Sequence, residues 1–358
     1  MFEVLAFGTQ YFIYKKLKAA GVHKFIRVVF ISWAAFWILA GFICGYDFMH
    51  VEYDWFSMRT NEIIRAFSLT WTIITLIGFF AFFMTDALTK FSGFTKRKLC
   101  FAVLITILIT LYSMSEAYFV REKHVIIKTN KITVPKIRIA YITDSHIGGL
   151  ATHWHFERAM KIVKDSSPDV FISLGDTIDG DMNYREIEKN LLKSAALEAP
   201  MGAYAVNGNH EHYLFLDEDV ENIIRDCGFN LLINERAEIK NTNITLIGLD
   251  DTRHGWLKIF LKPEDKDKFV LVLKHRPGLP FDAENNFDLQ ISGHTHGGQF
   301  WPLGFFKSIA AGAPQGLSKK NGGFLYISNG TGFNGAMMRI FTPPEVTVID
   351  VIDIVKEN

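Results

Sequence analysis

Three stretches near the start of the chain carry no charge, and they limit the possible folds more than any other feature. Val28 to Tyr46, Ala66 to Thr85 and Leu99 to Ser115 contain no Asp, Glu, Lys or Arg, and the apolar character of the third continues past Glu116 to Val120. Each is close to the ~20 residues an α-helix needs to cross the hydrocarbon core of a bilayer. Three such helices so close together would overfill the core of one soluble domain, so a transmembrane region is expected over residues 1–122. Trp33, Trp37, Tyr46, Trp55, Trp71, Tyr112 and Tyr118 lie mostly near the run ends, where interfacial aromatics are favoured. A shorter uncharged stretch, Val4 to Tyr14, precedes Lys15, Lys16 and Lys18. It reads as a membrane-embedded helix, with an interfacial amphipathic helix as the alternative. The region therefore holds 3–4 helices.

Basic residues set the expected orientation. Lys15, Lys16, Lys18, Lys24 and Arg27 precede the first long run, and Lys90, Lys96, Arg97 and Lys98 precede the third. Both loops are assigned to the cytoplasm. The chain after Val120 is then extracytoplasmic, although Arg121, Lys123, Lys128 and Lys131 run against that assignment. Lys plus Arg equal Asp plus Glu at 38 each, so there is no electrostatic case for a nucleic-acid partner. Cys44, Cys100 and Cys227 follow no metal-ligand or disulfide spacing, and the redox compartment stays open.

From about residue 130 the pattern changes to short β-rich runs alternating with helical ones, which is α/β layering. A second domain is expected over 130–358, with mixed sheets. Strands are predicted at Ile137–Ile142, Val170–Leu174, Ala203–Val206, Ile244–Leu249, Phe269–Leu273, Leu289–Ile291, Phe324–Ser328 and Val346–Val351, with helices over Trp154–Lys164, Glu186–Leu197 and Glu218–Asp226. A polar cluster follows each of five strands: Asp144-Ser145-His146, Gly175-Asp176-Thr177-Ile178-Asp179-Gly180, Asn207-Gly208-Asn209-His210-Glu211, His275, and Gly293-His294-Thr295-His296-Gly297-Gly298-Gln299. Loops at strand carboxyl ends of an α/β sheet converge on one crevice. Singly, Asp144 or Asp176 would read as a cap or turn residue and His275 as a satisfied core histidine. Five ligand-type clusters at five strand exits point instead to one shared metal site.

In that order, D-x-H, G-D-x-x-D, G-N-H-E, a lone His and G-H-x-H resemble the metallophosphoesterase (calcineurin-like phosphoesterase) superfamily over roughly residues 135–352. G-H-T-H-G-G-Q with Leu249-Asp250-Asp251 looks like its bacterial membrane-anchored or exported branch. The resemblance implies a four-layer αββα sandwich with the site at its top. It also implies two divalent metal ions, Mn first with Fe or Zn as alternatives. Asp144, His146, Asp176 and His296 would hold one ion, and Asp176, Asn209, His275 and His294 the other, with Asp176 bridging. Mixed imidazole and oxygen ligation suits such metals better than Mg or Ca. The implied nucleophile is a hydroxide bridging the ions, with His210 protonating the leaving group and Asp179 orienting His210. Protein Ser/Thr phosphatases of the superfamily carry Arg where this chain has Gly180, which disfavours a phosphoprotein substrate.

After Gln299 comes Phe300-Trp301-Pro302-Leu303-Gly304-Phe305-Phe306. Read as a lip dipping into the membrane interface, it points to membrane lipids as partners and to a phosphorylated lipid or lipid-linked substrate. The alternatives are a buried loop with a small soluble phosphomonoester or nucleotide substrate, cleavage of UDP-diacylglucosamine from the cytoplasmic side, and a non-catalytic membrane scaffold.

Overall fold

In the computed structural model the chain divides into two compact units, Met1–Ser115 with Asn334–Met338, and Glu116–Phe333 with Arg339–Asn358. The structure describes residues 2–49, 58–89, 95–147, 153–178, 186–213, 217–251, 263–278, 287–301, 304, 306, 309, 312–320, 323–333 and 335–355.

The first unit is helical: α1 (Phe2–Ala19), α2 (Lys24–Met49), α3 (Met58–Leu88) and α4 (Lys96–Tyr118). The three charge-free runs fall within α2, α3 and α4. Gly21, at φ 74°, ends α1. The Val22 N–H reaches back to Leu17 O at 3.0 Å and Gly21 N–H to Lys18 O at 3.1 Å, the paired bonds of a Schellman C-cap. Hydroxyls inside the apolar helices are satisfied locally. Thr72, Thr85, Thr106 and Ser113 each donate to the carbonyl four residues back, which removes the penalty of carrying them through an apolar environment. Asp86 is buried and pairs with Lys16 and, at 3.9 Å, with Lys98. Among the described residues two stretches, Ala66–Leu88 and Lys96–Tyr118, are long and apolar enough to cross a membrane.

The second unit contains two six-stranded mixed sheets. The first runs in the order β1 (Arg121–Thr129), β12 (Glu345–Asp353), β2 (Lys136–Ile142), β3 (Val170–Leu174), β4 (Ala203–Val206), β5 (Asn230–Leu231). Only the β12–β2 pairing is antiparallel. The second runs β10 (Gly316–Lys320), β11 (Gly323–Ile327), β9 (Leu289–Ser292), β8 (Phe269–Lys274), β7 (Ile244–Leu249), β6 (Glu235–Ile239). Its interior pairings are parallel and both edge pairings antiparallel.

Side-chain alternation along the strands sorts residues into two layers. Ile137, Ile139, Tyr141, Ile172 and Leu174 share one cluster with Leu246, Leu271, Leu273, Leu289 and Ile291 from the other sheet. Ala140, Ile142, Phe171 and Ala205 face the other way, against α5 (His153–Asp165), α6 (Glu186–Leu197) and α8 (Asp217–Asp226). The small residues on that face let the helices approach. On the far face of the second sheet Ile247, Leu249, Val270, Val272 and Phe287 form a separate buried cluster. The structure is therefore an α/β fold with two stacked mixed sheets. The fourth, helical layer implied by the resemblance is not among the described elements.

β1, β5, β6 and β10 were not expected from the sequence. β1 exposes Arg121, Glu122, Lys123, His124 and Lys128, so its apolar alternation reduces to Val125 and Ile127. Charge on an edge strand blocks pairing with a further chain.

Candidate metal centre

The clusters converge because their strands are neighbours. D-x-H leaves β2, G-D leaves β3, and G-N-H-E leaves β4 and opens the short helix α7 (Asn209–Tyr213). The first two loops stay in register past the sheet. Asp144 N–H donates to Gly175 O at 3.0 Å and His146 N–H to Asp176 O at 3.0 Å, with Ile147 N–H on Thr177 O at 2.8 Å. From the second sheet, His275 directly follows β8, and His294 and His296 follow β9.

Three groups of ligand atoms lie within 4.8 Å of one another: Asp144, His146 and His296; His146, Asp176 and His210; and Asp176, His275 and His294. Asp176 and His146 each belong to two of them. His146 Nε2 and His296 Nε2 are 3.1 Å apart, and His296 Nε2 is 3.3 Å from Asp144 Oδ1. His275 Nε2 is 3.0 Å from Asp176 Oδ2. Its other nitrogen, Nδ1, lies 2.9 Å from Leu174 O. A carbonyl only accepts, so Nδ1 carries a proton, and Nε2 is the nitrogen that would present its lone pair to a metal ion in place of a second proton. Asn209 sits beside His210, whose backbone N–H donates to Asp176 Oδ1 at 2.8 Å. Asp179, the expected orienting residue, lies outside the described residues, as does Gly180.

Two buried acceptors test whether the residues fit a cation. Asp144 Oδ2 accepts from Thr143 Oγ1 at 2.8 Å and His294 N at 2.9 Å, while Oδ1 has no hydrogen bond among the described residues. Asn209 Oδ1 has none either. Buried polar atoms are rarely left so, and a divalent ion beside each would satisfy them. Imidazole, carboxylate and amide donors together fit such an ion.

The site stores backbone strain. Asp144, His146, Asp176, His294 and His296 all have φ between 47° and 66°, the left-handed region that costs an L-residue ~1–2 kcal/mol. Such strain persists only where the surroundings over-determine it. Gly208 and Gly293 supply the close approach. A Cβ on Gly208 would collide with Asp176 Oδ1, and one on Gly293 with Thr143 Oγ1 and Asp144 Oδ2.

Burial opposes ionisation of Asp176, but the neighbouring His275, His210 and His146 outweigh it and hold its carboxyl well below the usual range. Burial likewise opposes protonation of His275, and the charge of Asp176 reverses that, raising it.

Two supporting residues were missed from the sequence. Glu211 accepts four backbone N–H groups: Thr177 at 2.7 Å and Ile178 at 3.2 Å on Oε1, Asp176 at 2.9 Å and Gly208 at 2.7 Å on Oε2. One buried carboxylate thus fixes the G-D loop to the G-N-H-E loop. Its place in G-N-H-E was the available signal. Arg339 is wholly buried and donates to His296 O at 3.3 Å, Asn329 O at 2.8 Å and Thr342 O at 2.9 Å. Its apolar neighbours Met338 and Ile340 were the only local hint.

Comparison with known proteins agrees with this geometry. The calcineurin-like phosphoesterase family model matches residues 137–298. A protein of Aquifex aeolicus described as an uncharacterised metallophosphoesterase is 33% identical over 261 residues, covering 69% of this chain and 97% of that protein. The chain belongs to the calcineurin-like metallophosphoesterases. That membership places it among phosphoester hydrolases with divalent metal sites. A metallophosphoesterase of Campylobacter jejuni is 28% identical over 238 residues, and there the match spans 62% of the relative. A Danio rerio transmembrane protein with a metallophosphoesterase domain is 24% identical over 345 residues, covering 86% of this metallophosphoesterase and 76% of the relative. The crystal structure of a dimetal phosphatase from Danio rerio aligns with TM-score 0.35 at 13% identity, over 55% of this chain and 88% of that one.

Proposed function

We propose that this metallophosphoesterase is an integral membrane protein, with residues 1–122 as its anchor and 130–358 as its catalytic domain, that hydrolyses a phosphoester of a lipid or lipid-linked substrate. The observation that carries the hydrolytic reading is the sharing of Asp176 between two ligand groups, with two orphaned oxygens beside them. In this reading Asp144, His146, Asp176 and His296 hold one divalent ion, and Asp176, Asn209, His275 and His294 the other. Ions bound there supply Lewis acidity to the phosphoryl oxygens and acidity to the attacking water. The chain's own residues do the rest. Asp176, held ionised, anchors both halves and receives the His210 N–H, which fixes that residue's backbone against the site. The water oxygen, its proton released to solvent, forms the new bond to phosphorus as the bond to the leaving oxygen breaks, and the protonated imidazole of His210 gives that oxygen a proton that solvent then restores.

The lipid half of the reading is supported by the two apolar helical stretches, by the transmembrane character of the Danio rerio relative, and by Trp301, exposed five residues beyond His296. The catalytic unit is placed on the extracytoplasmic side.

Purified full-length protein with Mn is the test material. It should cleave an aryl phosphodiester and at least one member of a lipid-phosphate panel. Asp176→Asn should abolish both activities. His210→Ala should keep its metal content and lose most turnover, and a fully active variant would overturn the proton-donor role. Cleavage of the aryl ester with no lipid phosphate accepted would sink the lipid half alone.

A further inference from the structure

In the catalytic unit Phe341 is strained without gaining burial. Its φ is 56°, a conformation that for a bulky side chain is a genuine outlier, yet it is 67% exposed, so packing of its ring does not offset the strain. Neighbours hold it there. The Phe341 N–H donates to Glu116 Oε2 at 2.7 Å, and Glu116 is a buried carboxylate in the last turn of α4. The preceding residue, Ile340, is stitched to the loop after the histidines. Its N–H donates to Gln299 O, and its carbonyl accepts from Trp301 N–H, both at 3.0 Å. Trp301, 64% exposed, meets Phe341 edge-on with ring centroids 6.4 Å apart. Arg339 ties both segments together through His296 O and Thr342 O. The result is a braced pair of aromatics built onto the loop that carries His294 and His296.

We propose that Trp301 and Phe341 form an interfacial anchor that seats the catalytic unit on a phospholipid bilayer, a proposal that rests on the membrane-anchored reading above. The occupant follows from Glu116. The chain enters this unit directly from α4, an apolar helix of 23 residues, and Phe341 is hydrogen-bonded to that helix's final turn. Glu116 belongs to the same unit as Phe341, so Phe341 stands beside the point where the chain enters that unit from α4. Trp and Phe are suited to the bilayer interface, with large apolar area and, for Trp, one N–H for the headgroup region. Phe306 and Ile309, further along the chain, are exposed as well. The anchor would hold the ligand loop at headgroup height, where a lipid's phosphate lies.

The test uses the full chain with Cys44, Cys100 and Cys227 replaced by Ser, reconstituted in phosphatidylethanolamine/phosphatidylglycerol vesicles. Trp301→Cys carries an environment-sensitive nitrobenzoxadiazole probe, and Leu197→Cys, exposed on α6, serves as control. A headgroup-depth doxyl lipid should quench the probe at 301 and leave the one at 197 unaffected. Equal quenching at both sites overturns the proposal. So does a blue-shifted, unquenched probe at 301 that responds to dilution of protein in the vesicles, since that assigns the surface to a second copy of the chain. In the native-cysteine protein, Trp301→Ser with Phe341→Ser should leave aryl phosphodiester turnover unchanged. Turnover of a vesicle-borne phosphate should fall roughly 10-fold or more, because one buried large apolar side chain is worth more than that factor. If no lipid phosphate is a substrate, the substrate reading fails while the quenching still decides the anchor.

Discussion

Replacing Glu211 by Gln isolates the clamp between the two loops that carry Asp176 and His210. The carboxylate accepts Thr177 and Ile178 on one oxygen and Asp176 and Gly208 on the other. Glutamine keeps the shape but exchanges one acceptor for an NH2 donor. Whichever way the amide turns, two of the four buried N–H groups then face a donor. A buried hydrogen bond to a charged group is worth ~1.5–3 kcal/mol, so the loss is about 3–6 kcal/mol. The cheaper orientation turns the amide towards Ile178, whose bond is the longest of the four at 3.2 Å. For a unit of this size ~1 kcal/mol moves the melting midpoint by ~2–4 °C, so a fall of about 6 °C or more is expected. The measurement is thermal unfolding of the full-length protein in detergent and excess chelator, which removes any contribution of metal. Metal titration of the same variant should show weakened binding, because the clamp sets where Asp176 stands. A chelator-treated Glu211→Gln protein melting within about 2 °C of the parent would refute the reasoning and leave Glu211 a bystander.

Gly293→Ala should lower metal content and activity together, since its Cβ would occupy the space of Thr143 Oγ1 and Asp144 Oδ2; Gly8→Ala, with open space around its Cβ, is the control and should leave both unchanged. Asp350→Asn should destabilise the catalytic unit by about 1.5–3 kcal/mol at neutral pH, because Arg138, directly across from it on β2, donates Nε at 2.7 Å and Nη2 at 3.0 Å to its carboxylate. These bonds, with a smaller contribution from His124 and against the effect of burial, hold the Asp350 carboxyl below its ordinary value. The stabilisation is therefore complete above the unfolded pKa of ~3.9 and lost as pH falls through the folded value. Urea melts from pH 7 downward should show the two proteins converging in acid, and a gap that widens there would contradict the assignment.

Much of the site was written locally in the sequence, because each strand ends within a few residues of the ligand it presents. Val170–Leu174, Ala203–Val206 and Ile244–Leu249 matched their strands residue for residue. They are buried on both faces and read as apolar runs interrupted only by Ser173, Thr245 and Gly248. β1 escaped because a charged edge strand hides its alternation. Glu211 and Arg339 escaped for a different reason. What matters about them is which backbone groups they reach, and those lie up to 43 residues away for Arg339. Composition does not distinguish a buried arginine holding five carbonyls from one in water. The expected roles of Asp144, His146, Asp176, His275, His294 and His296 rested on family resemblance, and the structure adds their proximity and the His275 tautomer. Nor did the sequence register the strain at the ligands, since any L-residue prefers negative φ until its neighbours forbid it.

The pairing of β1 with β12 also bears on how the protein is made. Arg121–Thr129 lies in register with Glu345–Asp353 along nine residue pairs, yet about 215 residues of chain separate the two segments. At ~5–20 residues per second of synthesis, that is on the order of 10–40 s in which β1 has emerged and its partner does not exist. During that interval the strand beside the last apolar helix is an unpaired edge, and the sheet cannot close around β2 on that side. Ribosome stalling or a stop codon before residue 345 would therefore remove more than a tail. It would leave the first strand of the catalytic unit without its neighbour, and quality-control proteolysis of such products should begin at β1.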